Sequence, residues 1–485
     1  MKKKYLLIHG GLAGLLAMAL AACGGGGGGG ATPLSGPSIP NESLPRIEPY
    51  ESAAVAPKAL EKLATQAGAV PDDIALGAPE AGFGATAPAP AGAPRKIGQA
   101  RAIAALADVP GMRSRLHWQA TAGGGLAAAA RIRSNGAASL RVALLVRKLP
   151  AGATVRVFAK GQAAHEVSAS EVLATLERDA RGIGASAKDA GIYWLPTVQG
   201  DAATLEIELP PGVDPAGVEV AAPRLLHQWV NVAKASDALL KIGEAGSCNV
   251  DATCVPDYSA DARSVARMEF VSNDTAFLCT GTLMADAAKS GTPYFFSANH
   301  CLGTQAAAST LVTYWFYRAS GCNSGVLDTA ATQLTGGATL LYAAADTDTS
   351  FMRLLGTPPA GAYFAGSLLG PATNGTPMAA LHHPRGDLLK LSLGVLESYA
   401  TCDGDRCSSR VTAEGSNFMA LRWSSGTTES GSSGSASFAP IGARRYVTGH
   451  LFAGLSSCAR PDQLDYYGRF DLAYQAALRQ YLGTP

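Results

Sequence analysis

The sequence predicts a mostly β protein of at least two folded units behind an exported N-terminal leader, and three observations carry that expectation. The chain has 485 residues, beyond the size at which a single core keeps growing. From Leu116 onward, short alternating apolar and polar runs such as Ser139-Leu140-Arg141-Val142-Ala143-Leu144 are separated by turns such as Leu149-Pro150-Ala151-Gly152, the period-two signature of half-buried strands. All cysteines but one fall between Cys248 and Cys458, which sets the C-terminal half apart as an oxidised, cross-linked unit.

The leader comes first in the chain. Lys2, Lys3 and Lys4 precede an apolar run from Tyr5 to Ala22, the charged and hydrophobic parts of an export signal. The run ends in Leu20-Ala21-Ala22-Cys23, followed by seven glycines. This resembles a bacterial lipoprotein box, in which the Cys23 thiol is acylated and becomes the mature N-terminus over a signal of residues 1–23. The span is short for a membrane-crossing helix. The expectation is an outer-membrane or cell-surface lipoprotein, held to the membrane by lipid and open to release by later processing.

Residues 24–115 are rich in Gly, Ala and Pro with few aromatics, too little apolar mass to offset the entropy of ordering a chain. They read as a tether, with a short helix from about Pro57 to Ala67 because Pro suits a first helical position. Residues 116–241 read as a small β-sandwich, with Thr154-Val155-Arg156-Val157-Phe158 and Thr204-Leu205-Glu206-Ile207-Glu208-Leu209 as strands. No nucleophile and histidine there have a recognisable spacing, so this unit reads as a propeptide or an accessory domain. Residues 242–485 are rich in Gly, Ser, Thr and short β-prone runs, and Tyr474, Ala477, Leu478, Tyr481 and Leu482 recur at helical spacing near the end.

Charge excludes one class of partner. Lys plus Arg number 39 against 38 for Asp plus Glu, with no basic block beyond the extreme N-terminus, so nucleic acid has no electrostatic support. With Cys23 lipidated, eight cysteines remain: Cys248, Cys254, Cys279, Cys301, Cys322, Cys402, Cys407 and Cys458. An even number in an exported chain, without zinc-ligand spacing, favours disulfides over metal.

Three segments carry chemistry. Phe295-Phe296-Ser297-Ala298-Asn299-His300-Cys301 runs an aromatic strand into a small-residue turn that presents one of eight histidines, an imidazole suited to general-base work. Asp346-Thr347-Asp348-Thr349-Ser350-Phe351 places two acids at the mouth of an alternating strand. Either could orient a histidine ring, and spacing alone does not separate them. In Gly431-Ser432-Ser433-Gly434-Ser435, flanking glycines permit a tight turn in which the amides of Gly431 and Ser433 point into one hollow, as an oxyanion site requires.

The order His, Asp, Ser, with these two turns, resembles trypsin-like serine proteases and most closely the bacterial lysyl endopeptidases. The resemblance covers about Gly243 to Leu482. It also rests on Gly246-Ser247-Cys248-Asn249-Val250-Asp251, Cys279-Thr280-Gly281-Thr282-Leu283, Tyr314-Trp315, His382-His383-Pro384 and Ser456-Ser457-Cys458. It implies a double β-barrel with the triad His300, Asp348 and Ser433, since Asp348 rather than Asp346 falls on the family's Asp-initiated strand. It further implies disulfides pairing Cys248 with Cys458, Cys254 with Cys322, and Cys279 with Cys301. Cys402 and Cys407 then remain as a local fourth bridge. An α/β-hydrolase esterase has the order Ser, acid, His and does not match.

The resemblance also implies a specificity. Where trypsin carries its pocket carboxylate, six residues before the nucleophile, this chain has Thr427. The lysyl endopeptidases place theirs in a later segment that Asp465-Tyr466-Tyr467-Gly468-Arg469 resembles, which implies cleavage after Lys, with Arg open. The bland alternative is an Asp465–Arg469 surface pair. One departure is Phe452, before Ala453-Gly454, where the family has a histidine against a tryptophan that has no clear counterpart here. His382 and His383 sit on opposite faces of a strand, and neither metal nor cofactor is expected. The expected partners are protein or peptide substrates, the chain's own propeptide and the membrane through its lipid. A non-catalytic surface-binding protein on the same scaffold is the rival reading. Lys241, just before Ile242, stands where an enzyme with such a pocket would cut its own junction.

Overall fold

In a computed structural model of the chain, residues 41–52, 63–64, 66–80, 82–84, 92–186, 190–230, 243–404 and 406–485 are described. The signal segment, Cys23 and Lys241 lie outside them.

Alternation along the strands builds the first unit. Leu126–Ser134, Thr154–Phe158, Ala164–Ser168 and Ala202–Leu209 form one sheet, and Ser139–Lys148 and Glu219–Gln228 belong to another. Ala128, Ala130 and Ile132 from the first and Leu140, Val142 and Leu144 from the second share one core with Val155, Val157, Leu205 and Ile207. Every second residue therefore points inward from each sheet, the arrangement of a β-sandwich. A helix over Ala169–Arg181, which the strand rhythm does not anticipate, covers one side. Its signal is Ser168-Ala169-Ser170-Glu171: the Ser168 side chain accepts the Glu171 amide as an N-cap, and Ala169 and Val172 are buried.

The C-terminal unit is two barrels. In the first, strands follow the spatial order Thr332–Leu334, Val312–Trp315, Val265–Ser272, Thr275–Met284, Tyr294–Ala298, Thr349–Leu354 and Ala338–Ala344. Trp315, Phe295 and Phe351 are fully buried in it, each aromatic contributing about 1.5–3 kcal/mol by leaving water. In the second, Pro377–His382, Lys390–Asp403, Phe418–Ser425, Leu464–Arg469, Arg444–Gly454 and Ala436–Ile441 pair in turn, and the last returns to the first, closing the ring. Closure satisfies the edge hydrogen bonds an open sheet would expose. The last residues, from Phe470 to Leu482, are helical, with a widened turn over Tyr474–Leu478, and bury Tyr474, Leu478 and Leu482. Disulfides join Cys248–Cys458, Cys254–Cys322, Cys279–Cys301 and Cys402–Cys407.

The tether expected over 24–115 is corrected where it is described. Arg46–Ile47 and Tyr50–Glu51 pair with strands at Gly366–Leu368 and Tyr363–Phe364. Pro71–Leu76 runs parallel to Leu126–Ser134, and Val109–Arg115 is a helix capped by Asp108. The reason is placement: Ile47, Ile74, Ile97, Ile103, Leu106 and Met112 are buried, and a composition averaged over the segment hides a few well-spaced anchors whose backbone other strands satisfy. Of the helix expected near Pro57–Ala67, residues 57–62 and 65 lie outside the described residues. Leu63–Ala64 is strand, paired with Ala164–His165. Arg95–Ala102 pairs with the sandwich at Arg224–Gln228 on one side and with the first barrel at Thr275–Leu278 on the other, so one sheet runs through both units.

Candidate active site

The strand Tyr294–Ala298 delivers Asn299 and His300 at its end, and the Cys301–Cys279 disulfide ties that turn to the neighbouring strand. Asp348 meets it from the next strand over. Its Oδ1 accepts the His300 backbone N–H at 2.9 Å, and its Oδ2 lies 2.7 Å from His300 Nδ1. Asp346 is exposed and its carboxylate accepts the Thr347 amide, so Asp348 alone reaches the ring. To do so Asp348 adopts φ 54, a left-handed conformation uncommon for a residue with a Cβ.

Two donors hold Asp348 there. Its carbonyl accepts the Asn299 N–H at 2.6 Å and the His450 Nε2–H at 2.7 Å. His450 comes from the Arg444–Gly454 strand of the second barrel, is fully buried, and packs edge-on against Phe296. Burial pushes its pKa down to about 4, which keeps it neutral, with the carbonyl fixing the proton on Nε2. Sequence reasoning missed this residue. Nothing in its surroundings marks it, since its partner lies 102 positions away.

Ser433 sits in the loop between Phe418–Ser425 and Ala436–Ile441. The loop is pinned to the first barrel: Ser433 carbonyl accepts the Thr280 N–H at 2.9 Å and Gly431 carbonyl accepts the Thr280 hydroxyl at 2.9 Å. Thr280 follows Cys279, so the disulfide to Cys301 links the same strand to the histidine turn. His382 Nδ1 lies 2.8 Å from Ser432 Oγ, and its Nε2 lies 3.0 Å from Ser392 Oγ. His383 Nδ1 lies 2.9 Å from the Asp387 carbonyl. Burial pushes both histidines down to about 3, so they act as neutral braces. Among the described residues no group of three potential metal-binding side chains converges.

The Ser433 hydroxyl and His300 Nε2 are among the buried side-chain atoms that have no hydrogen-bond partner, as are Ser435 Oγ, His383 Nε2 and His450 Nδ1. Such bonds often tighten only when substrate arrives. The amide of Gly431, at φ 94, is by contrast occupied: it donates to the carbonyl of Ala93 at 3.0 Å.

Asp465 is fully buried in the second barrel. Its Oδ2 accepts from Trp423 Nε1 at 2.6 Å, Thr428 Oγ1 at 2.7 Å and Ser456 Oγ at 2.6 Å, and its Oδ1 accepts the Ser456 N–H at 3.1 Å. Burial raises its pKa, with the donors from Ser456, Thr428 and Trp423 pulling the other way. Arg469 pairs with Asp471 instead, at 2.5 Å, which removes the surface Asp465–Arg469 pair. Gly454 lies against the Asp465 carboxylate, where a Cβ would come within 2.0 Å of Oδ1. The Phe452 ring centroid is 4.8 Å from Phe418 and 6.2 Å from His300, so an aromatic surface lies between the histidine and the segment that leads to Asp465. Thr427 is buried, its hydroxyl 2.6 Å from Ser456 Oγ.

The lysyl endopeptidase C-terminal domain model matches residues 242–468, and the lysyl endopeptidase N-terminal domain model matches residues 76–229. A lysyl endopeptidase of Pseudomonas aeruginosa is 34% identical over 315 residues, which span 61% of this chain and 65% of that protein. Among solved structures, a thermostable serine protease from an extremophilic microorganism aligns at 18% identity over 47% of this chain and 100% of its own, with a TM-score of 0.33. A protease from M. tuberculosis in its active form aligns at 14% identity over 49% and 88%, with a TM-score of 0.32. With both of its units matched, the chain is a lysyl endopeptidase-like, trypsin-like serine protease.

Proposed function

We propose that the chain is a serine endopeptidase that cleaves peptide bonds after lysine, with arginine as the next best residue. The observation that carries this reading is the Asp348 carboxylate 2.7 Å from His300 Nδ1, which leaves Nε2 at the other edge of the imidazole without a partner, as the Ser433 hydroxyl also is. Ser433 Oγ attacks the peptide carbonyl while His300 takes its proton. The amides of Gly431 and Ser433 receive the developing oxyanion, and His300 then protonates the departing amine. Water repeats the sequence on the acyl-enzyme. Asp348 keeps the Nδ1–H tautomer and offsets the imidazolium charge. His450 acts on none of the reacting atoms; it positions Asp348 from the second barrel. Asp465 supplies the negative charge for a cationic side chain, which a neutral one would leave buried and unpaired.

A fluorophosphonate probe tests the chemistry directly. An activated serine becomes labelled at Ser433, read by peptide mass, whereas the rival non-catalytic scaffold stays unlabelled whether the chain is whole or cut.

The reading extends to location and maturation. The leader and Cys23 fit an exported lipoprotein, and the disulfides of the C-terminal unit fit an oxidising compartment. Lys241 precedes Gly243 and Ala245, whose amides both donate to the Asp387 carboxylate, so the start of the protease unit is docked whether or not the linker is cut. Lys241→Gln in an active chain should accumulate full-length protein on the membrane, as Ser433→Ala should. Normal processing of both variants, seen by immunoblot of membrane and medium fractions, would remove self-cleavage at this site.

A further inference from the structure

The described segment that begins at Gly92 runs through the active site. The Ala93 carbonyl accepts the Gly431 N–H at 3.0 Å, the donor that would receive a substrate's carbonyl. Two residues later, Arg95 pairs antiparallel with Leu278, the residue before Cys279, and the strand that begins there continues along the first barrel to Gln99 opposite Thr275. One residue earlier, Gly92 presses on the wall that leads to Asp465: with φ 78, a Cβ on it would come within 2.4 Å of Ala453 Cα. The Arg95 guanidinium forms an ion pair with Glu244. The chain therefore touches the specificity wall, the oxyanion donor and the edge of the first barrel in that order along its sequence.

We infer that Gly92–Arg95 is a built-in pseudo-substrate, bound in the direction of a peptide to be cut with the Ala93–Pro94 bond in the scissile position, and that it holds the unprocessed chain latent. This rests on the reading of Ser433, His300 and Gly431 as catalytic machinery.

Residue chemistry explains why the bond survives there. Ala93 carries one methyl group and no charge, so it neither reaches nor neutralises Asp465, and the binding energy a lysine would supply is absent. The departing nitrogen would be that of Pro94, a tertiary amide with a ring carbon where an ordinary leaving amine carries hydrogen. The segment on the leaving side is also held on both edges, by Arg224–Gln228 and by Thr275–Leu278, so it stays in place to be rejoined. A tethered segment acts at an effective concentration of about a millimolar, so even weak contacts fill the cleft. Cutting the linker between the units would not open the site by itself, because the strand Arg95–Ala102 must also leave the barrel edge.

Two full-length variants test this. Ala93→Lys combined with Pro94→Ser supplies the missing cation and an ordinary leaving nitrogen. Ser433 Oγ then forms an ester with the carbonyl of the introduced lysine as the peptide bond breaks, His300 passes its proton to the departing serine amine, and water releases the lysine carboxylate. Intact mass and N-terminal sequencing should find a new terminus at position 94, absent when Ser433→Ala is added. Gly92→Val places a side chain where Ala453 leaves no room. It should raise turnover of a fluorogenic lysine peptide by the uncut chain about tenfold or more over wild type, as loss of a tethered occupant requires. If the uncut wild type already matches Gly92→Val and the lysine variant stays whole, the pseudo-substrate is overturned while the protease reading stands. If no form turns over peptide or takes a fluorophosphonate, the protease reading itself fails.

Discussion

Ser433→Ala lowers kcat/KM on lysine peptides by about 10³-fold or more, with no comparable loss of stability. The hydroxyl makes no hydrogen bond in the fold, and the contact that pins the loop uses the Ser433 backbone carbonyl, which alanine keeps. The His300–Asp348 pair also survives, since neither of its bonds involves Ser433. Steady-state kinetics on both proteins, with the variant's linker cut by an added protease that is then removed, set beside thermal melts of both, separate the two effects. Turnover near the parent's rate would remove Ser433 as nucleophile; a large fall in melting temperature would show that the loss is structural.

Asp465→Asn erases the preference for lysine while leaving the acyl-transfer machinery intact. Leaving a buried cation without its partner costs about 3–5 kcal/mol, so kcat/KM for lysine peptides should fall about 10²- to 10⁴-fold while neutral residues at the same position lose little. The carboxylate's four hydrogen bonds come from Trp423, Thr428 and Ser456, none of which belongs to the triad. A peptide library reads the outcome, and a parent enzyme that prefers acidic or apolar residues would overturn the assignment.

The pH dependence has a definite sign. Burial raises the Asp465 pKa above its unfolded value, so the folded state holds this proton more tightly than the unfolded state does. The stability linked to it is fully present below the unfolded pKa, about 3.9, and is lost as pH rises through the raised folded value. Asparagine carries no such linkage. The melting temperature of Asp465→Asn relative to the parent should therefore move in the variant's favour as pH rises through that value. Over the same interval in reverse, protonation should weaken the parent's preference for lysine. A pH-independent difference between the two proteins would mean that Asp465 does not ionise in this range.

Much of the site was legible because its chemistry resides in short local segments. The turns around His300 and Ser433, and the segment that carries Asp465, are each a few residues long and present glycines, small residues and cysteines that a strand-end loop demands. Alternation along Leu140, Val142 and Leu144, or Leu205 and Ile207, marked strands because a residue's face in a sheet depends only on its own position parity. The described residues between 41 and 115 were misread for the converse reason. Ile74 and Ile97 become buried through partners at Leu126–Ser134 and Glu219–Gln228, and no local property of a Gly/Ala/Pro-rich stretch encodes those partners.

By itself, then, the sequence determined the order and identity of the residues that could do chemistry, the oxidised character of the C-terminal half and the predominance of strand. Each of these is a property of neighbours along the chain. Spacing left Asp346 and Asp348 open and the resemblance pointed to Asp348; the tertiary structure shows how Asp348 meets His300, through one left-handed residue held by Asn299 and by His450 from another barrel. It alone decided that Asp465 is buried among hydroxyls rather than paired with Arg469, and that Ala93 lies on the Gly431 amide. Such contacts join residues tens to hundreds of positions apart, where selection acts on the closeness of two surfaces and leaves no pattern in either segment read alone.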